Sequence, residues 1–284
     1  MKKNIALLLG LVLGLGFVSC SSDDDDDDEY TNGEGKYLAE MIRTRYYWKD
    51  GQRSSEGKTY SIYRYDEKGQ IVCSEFLYDR YSKYEHIYDD NGREIETNNY
   101  DSDKLSDKLR YEYNSFGKVS VKYRYVEDRL RETWKYEYDN NGRVIKETDT
   151  YHYVDGTSKT ATIFTYGYGE KADTTYLYYP NNGGFYRKSI NERDSHNAIL
   201  RSTVVYANGD TDVLEYEHEY DSKGEIIKSV GPIFVKGVDP TRYAATQYVD
   251  FSYNEDGDPH IMHYKIPSKN EEYDLEFTYK YKKK

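Results

Sequence analysis

Apolar and polar residues alternate with a period of two along most of this chain. The stretch "YDLEFTYKY" from Tyr273 to Tyr281 shows it most cleanly. Such alternation sends successive side chains to opposite faces of a β-strand. The alternating runs are short and are broken by clusters of Gly, Asn, Asp and Ser, which predicts strands joined by tight turns. One unit recurs: "YRYDEKGQI" at Tyr63, "YEYNSFGKV" at Tyr111, "YEYDNNGRV" at Tyr136 and "HEYDSKGEI" at His218. Looser copies run over His86–Ile95 and Phe251–Gly257. Two degenerate copies have Ala172 and Asn197 in the glycine position. The key positions, Gly69, Gly92, Gly117, Gly142, Ala172, Asn197, Gly224 and Gly257, are 23 to 33 residues apart, as expected of an array of hairpins.

Each column of the unit has a physical role. Asp or Asn at the first turn position accepts backbone N–H bonds and opens a type I turn. Gly three residues later takes a left-handed conformation and makes a bulge. Asn is the best substitute for Gly there. In that register Asp139 faces Arg143 and Tyr138 faces Val144. Tyr136 and Tyr138 share a face, so the tyrosines form rows across successive units. Outside the units, Met41–Arg53 reads as a further strand and turn, Tyr273–Tyr281 as a closing strand, and Gly231–Pro240 as a longer loop. No segment of the mature chain reads as an amphipathic helix. The predicted fold is all-β: a repetitive antiparallel hairpin meander forming a large twisted or curled sheet.

Composition changes the picture in one respect. The chain has 284 residues, a mean hydropathy of -1.01 and 36 tyrosines. With aliphatic residues scarce, Tyr must supply much of the buried area. The net charge of -12 disfavours nucleic acid and anionic membrane surfaces as partners.

The first residues give an address. "MKKNIALLLGLVLGLGFVSC" has a basic start and an apolar run too short to span a membrane comfortably, the order of an export signal. "FVSC" resembles a bacterial lipobox, with Phe17 in place of the usual Leu. The resemblance implies lipidation of Cys20, which becomes the mature N-terminus. "SSDDDDDDE" follows; its like charges keep it extended, and it resembles the export signal of surface lipoproteins of Bacteroidota. This gives three regions: 1–19 signal peptide, 20–36 lipidated Cys and acidic tether, 37–284 one β domain. The expected location is the outer membrane, lipid-anchored and exposed on the cell surface. The other thiol, Cys73, lies beside Ile71 and Val72 and reads as a buried structural residue.

The Tyr-Asp-x-x-Gly unit resembles the YD (RHS-type) repeats of bacterial surface and toxin proteins, over about Tyr60 to Met262 and most closely at "YDNNGRV" and "YDDNGRE". In that family hairpin strips curl into a cargo-enclosing shell. Here the period is longer, several units lack the basic residue after Gly, and eight units are too few to enclose a cargo, so that function does not carry over.

No catalytic or metal constellation emerges. His260 and His263 are three apart, which on a strand sends them to opposite faces. His86 and His218 occupy a tyrosine column and read as packing residues. There is no phosphate-cradling loop, nucleophile elbow or paired Cys motif. The chain therefore reads as a binding module for a glycan or a surface protein, without enzyme activity, metal or cofactor. The alternative is a structural spacer or coat component. A membrane-spanning barrel is disfavoured, because Lys, Arg and Glu occupy too many alternating positions for an apolar outer wall. Candidate contacts are Tyr46, Tyr47 and Trp48, and Tyr178 and Tyr179 beside the "PNNGG" turn. Consecutive aromatics on a strand must point to both faces.

Overall fold

The computed structural model describes residues 36–77, 80–169, 172–182, 184–236 and 245–283. The expected signal peptide, Cys20 and the Asp run lie outside them. The strands are β1 (Lys36–Lys49), β2 (Gln52–Arg53), β3 (Lys58–Tyr65), β4 (Ile71–Phe76), β5 (Ser82–Tyr88), β6 (Glu94–Asp101), β7 (Lys104–Tyr113), β8 (Val119–Val126), β9 (Arg129–Tyr138), β10 (Val144–His152), β11 (Ser158–Tyr168), β12 (Ala172–Tyr179), β13 (Gly184–Arg193), β14 (Ile199–Tyr206), β15 (Thr211–Tyr220), β16 (Ile226–Lys236), β17 (Gln247–Tyr253), β18 (Pro259–Ile266) and β19 (Glu271–Lys283). Every pairing is antiparallel, and from β3 onward each strand pairs with the next in sequence.

The sheet is closed. β1 pairs with β3 on one side and with β19 on the other, from Lys36↔Lys283 to Tyr47↔Tyr273. The two-residue β2 only extends the hairpin at the end of β1. The architecture is thus an 18-strand barrel, not the twisted or curled sheet expected from the pattern. An open meander would leave two edge strands with unpaired N–H and C=O groups; pairing β1 with β19 removes both edges.

The turns obey the predicted chemistry. In the hairpin of β9 and β10, Asp139 N–H bonds to Arg143 O at 2.9 Å, and Gly142 N–H to Asp139 O at 3.0 Å. The Asp139 carboxylate takes the N–H groups of Asn141 and Arg143, both at 2.9 Å. Gly142 has φ 72° and Asn197 φ 69°, so Asn does replace Gly at the bulge. Ala172 does not. There Gly169 N–H bonds Ala172 O directly, and Ala172 starts β12. A Cβ cannot take the left-handed position cheaply, and this hairpin closes with a shorter turn. The stretch from Gly231 also departs from expectation: β16 runs on to Lys236, leaving 237–244 outside the described residues.

The tyrosine columns face inward. On β9 Trp134, Tyr136 and Tyr138 are half-buried while Lys135 and Glu137 are exposed; on β15 His218 and Tyr220 contrast with exposed Glu217 and Glu219. The less exposed face of a closed barrel is its inner one. Why Tyr recurs is visible in its hydroxyl. Tyr88, Tyr113, Tyr138, Tyr168, Tyr253 and Tyr279 each donate to the carbonyl two residues after the bulge position of the preceding hairpin: Ile71, Glu94, Val119, Val144, Ile226 and Pro259, at 2.5–2.9 Å. The bulge disturbs the ladder locally, and the phenol satisfies the exposed carbonyl. In the degenerate unit the role passes to His218, whose Nε2 lies 2.9 Å from Ile199 O, while Tyr220 bonds Asp194 instead.

Within each hairpin the first aromatic column chooses its cross-strand partner. His86 faces Thr97 and His218 faces Ser229, each with a 3.1 Å contact from hydroxyl to Nδ1. Phe251 faces Met262. Polar meets polar and apolar meets apolar. An apolar cluster lies on β17–β19, where Val249, Phe251, Met262, Ile266, Tyr273 and Leu275 are buried together, and Leu177, Val204, Val213, Leu214 and Val230 are buried on β12 and β14–β16. Cys73 is fully buried, as the sequence implied.

Candidate functional site

The two rims differ. One carries the Asp-x-x-Gly turns, and both Lys36 and Lys283 sit at it, paired with each other. The other carries the turns that vary from hairpin to hairpin. All five aromatic candidates lie toward this second rim, at the end of β1 and the end of β12. They do not form one site. Going round the barrel, β12 stands eight strands from β1 by the shorter way, on the opposite side.

The β1 group is largely structural. Tyr46 and Trp48 are half-buried on the outer wall, and Tyr47, 38% exposed, points inward against Tyr273. Trp48 Nε1–H donates to Asp274 Oδ1 at 3.0 Å and its ring meets His263 edge-on at 5.3 Å. His263 Nδ1 also lies 2.7 Å from Asp274 Oδ1, and Arg53 Nε lies 3.0 Å from Asp274 Oδ2. The guanidinium of Arg53 stacks over Tyr46 at 3.8 Å and reaches Glu276. The β1–β2 hairpin is thereby fastened over Asp274, which is buried on the outer wall. His260, at the bulge between β17 and β18, is exposed and apart from this cluster.

The β12 group is different. Tyr178 meets Phe185 edge-on at 6.0 Å, and Tyr179 meets Tyr186 at 5.0 Å. Tyr186 in turn meets Tyr206 at 6.3 Å, and Tyr206 is held by a 2.9 Å bond to buried Asp212. Phe185 and Tyr186 are 40% and 42% exposed. A register shift between Leu177 and Tyr178 turns the adjacent aromatics Phe185 and Tyr186 toward different neighbours. The result is a bank of rings on the rim in two sets, Tyr178 with Phe185 and Tyr179 with Tyr186 and Tyr206, the second backed by a buried carboxylate. Phe185, Tyr186 and Tyr206 were not among the sequence candidates. Their signal was the mirror symmetry of the hairpin, "YY" before the turn and "FY" after it.

Two other features bear on chemistry. A shallow cleft of about 640 Å³ lies between the turns around Arg80, Ser102, Leu105 and Glu127. It is of mixed charge, with Arg80 and Asp101 paired at 3.3 Å. Inside the barrel, Lys122, Trp134, Asp149 and Thr162 are direct cross-strand partners on β8 to β11. Burial pushes the Asp149 carboxyl above its ordinary value, with Glu132 and Glu147 adding to the effect; burial likewise lowers the Lys122 ammonium.

No protein-family model matches the chain, and no curated protein matches it. Among solved structures it is similar to a porin-like protein from Bacteroides uniformis, at TM-score 0.44 and 11% identity over 85% of this chain and 96% of that one. A porin-like protein from Bacteroides vulgatus follows at TM-score 0.32 and 12% identity, over 86% and 98%. TcdB2-TccC3 is similar at TM-score 0.34 and 11% identity, over 82% of this chain and 15% of that one. Likenesses this distant carry no functional argument.

Proposed function

We propose that this chain is a lipid-anchored surface barrel that binds a glycan or a surface protein through the aromatic bank on its variable rim. The carrying observation is the exposure of Phe185 and Tyr186 beside Tyr178 and Tyr179. Flat, rigid aromatics give large contact area at low entropic cost. Two further observations support the reading. The outer wall carries ion pairs such as Lys146–Glu137 at 2.6 Å and Lys228–Glu219 at 2.8 Å, so a tether suits this barrel better as an anchor than its own wall. Lys36 sits at the Asp-x-x-Gly rim, so a tether from Cys20 would turn the aromatic rim away from the membrane.

The test has two arms. Cys20→Ala is expected to release the protein from membranes; unchanged fractionation, with no lipid on the mature N-terminus, rejects the anchor. On a glycan and surface-protein array, Phe185→Ala/Tyr186→Ala is expected to abolish binding with an unchanged melting temperature. If wild type binds nothing, the structural spacer is the better reading.

A further inference from the structure

On the inner wall, one row of cross-strand partners combines groups that the fold itself does not pair. Lys122, Trp134 and Asp149 stand side by side on β8, β9 and β10. The Lys122 ammonium lies over the Trp134 ring at 4.0 Å, and among the described residues no carboxylate comes within ion-pairing distance of it. Asp149 is 8% exposed; its Oδ2 takes a long 3.4 Å bond from Thr162, and its Oδ1 has no hydrogen-bond partner. A buried carboxylate oxygen without a donor is costly, of the order of 1–3 kcal/mol or more, and calls for an occupant. The neighbouring charges are already engaged. Glu132 pairs with Arg124 at 3.2 Å, and Glu147 accepts from Tyr166 at 3.2 Å.

Solvent reaches the neighbouring row, on the side of the variable rim. One row nearer that rim, Tyr151 is 42% exposed and the Arg124 side chain 37%. The unmet valences are one strong acceptor, Asp149 Oδ1, and one set of donors, the Lys122 ammonium. An anion would be repelled by Glu132, Glu147 and Asp149, and a small cation by Lys122. A pair of adjacent hydroxyls fits both, one donating to Asp149 and the other accepting from Lys122.

We infer that the Lys122–Trp134–Asp149 row is a binding site for the vicinal diol of a neutral saccharide ring, reached through the variable rim. It is a separate site from the aromatic bank, on β8–β10 rather than β12–β14. The ligand displaces the Lys122 ammonium from the Trp134 ring and completes the coordination of Asp149.

The chain has two tryptophans, so indole N–H resonances of full-length protein labelled with ¹⁵N at Trp report the site directly. The probes are the methyl α-glycosides of glucose, galactose and mannose, up to about 100 mM, with tetrahydropyran as a diol-free control; affinities near 1 mM are in the range of a few hydrogen bonds. At least one glycoside is expected to shift Trp134 saturably while Trp48 and the control stay unmoved. Lys122→Met and Asp149→Leu each keep the apolar volume and are expected to weaken binding at least about tenfold, with the melting temperature unchanged or raised. Phe116→Ala, at an exposed turn of the opposite rim, is expected to bind as wild type, which ties the loss of binding to the row. No Trp134 shift with any glycoside, affinities of the two inner-wall variants equal to that of wild type, or loss of the shift in Phe116→Ala overturns the inference.

Discussion

At the scale of the residue, one backbone angle governs each hairpin. Gly142 holds φ 72° with only the Lys118 side chain, 3.7 Å away, near a prospective Cβ. There is room for a side chain, so the cost of adding one is backbone strain. Gly142→Val is expected to destabilise the protein by roughly 1–3 kcal/mol. Asn197→Gly is expected to be neutral or slightly stabilising, because Asn197 already holds φ 69°. Thermal melts of the two variants against wild type check both. A Gly142→Val melt equal to wild type would undo the turn assignment.

At the scale of the element, the informative unit is a strand pair and what is fastened across it. The seam between β1 and β19 holds the barrel closed, and Trp48 fastens it through Asp274 and His263. Trp48→Ala is expected to lower the melting temperature clearly, by less than the about 3–5 kcal/mol of a fully buried Trp, because Trp48 is half-buried. Tyr179→Ala, which removes one rim ring from a stack, is expected to cost less stability and to act on binding. Denaturant melts of the two single variants, read beside the array, separate fastening from contact. Equal and small losses in both would mean that Trp48 does not hold the seam.

At the scale of the whole molecule, charge makes stability depend on pH. Asp89 is held below the ordinary carboxylate value first by the Arg93 side chain and then by the Arg93 backbone N–H; Asp139 by the Arg143 backbone N–H; Asp221 by the Glu225 backbone N–H. A depressed folded-state value means stabilisation that is complete above the unfolded value of about 3.9 and is lost as pH falls through the folded value. Asp149 is shifted upward by burial, so its ionisation opposes folding at neutral pH. Melting temperature is therefore expected to fall below about pH 4, as the turn carboxylates take up protons. Asp149→Asn is expected to raise it at pH 7. Melts across that range check the sign; a melting temperature that rises on acidification below 4 contradicts it.

The sequence by itself determined what is local. A period of two, an Asp-x-x-Gly turn and tyrosines one and three residues before Asp settle the strands, the bulges and the face on which Tyr136 and Tyr138 lie, because strand pleat and turn geometry are properties of a few adjacent residues. The identity of Asn197 as a glycine stand-in was legible for the same reason. Ala172 misled because a shorter turn can carry the same two tyrosines. Closure was not legible: whether β19 meets β1 depends on the accumulated twist and stagger of eighteen strands, which no single unit encodes. Nor were the sites. Tyr179 and Tyr186 meet across a shifted register, Trp48 and Asp274 are 226 residues apart, and Lys122, Trp134 and Asp149 share a row only once three strands are in register. Tertiary structure decided which aromatics fasten the barrel and which remain on its rim, because burial is set by neighbours that the chain brings together only on folding.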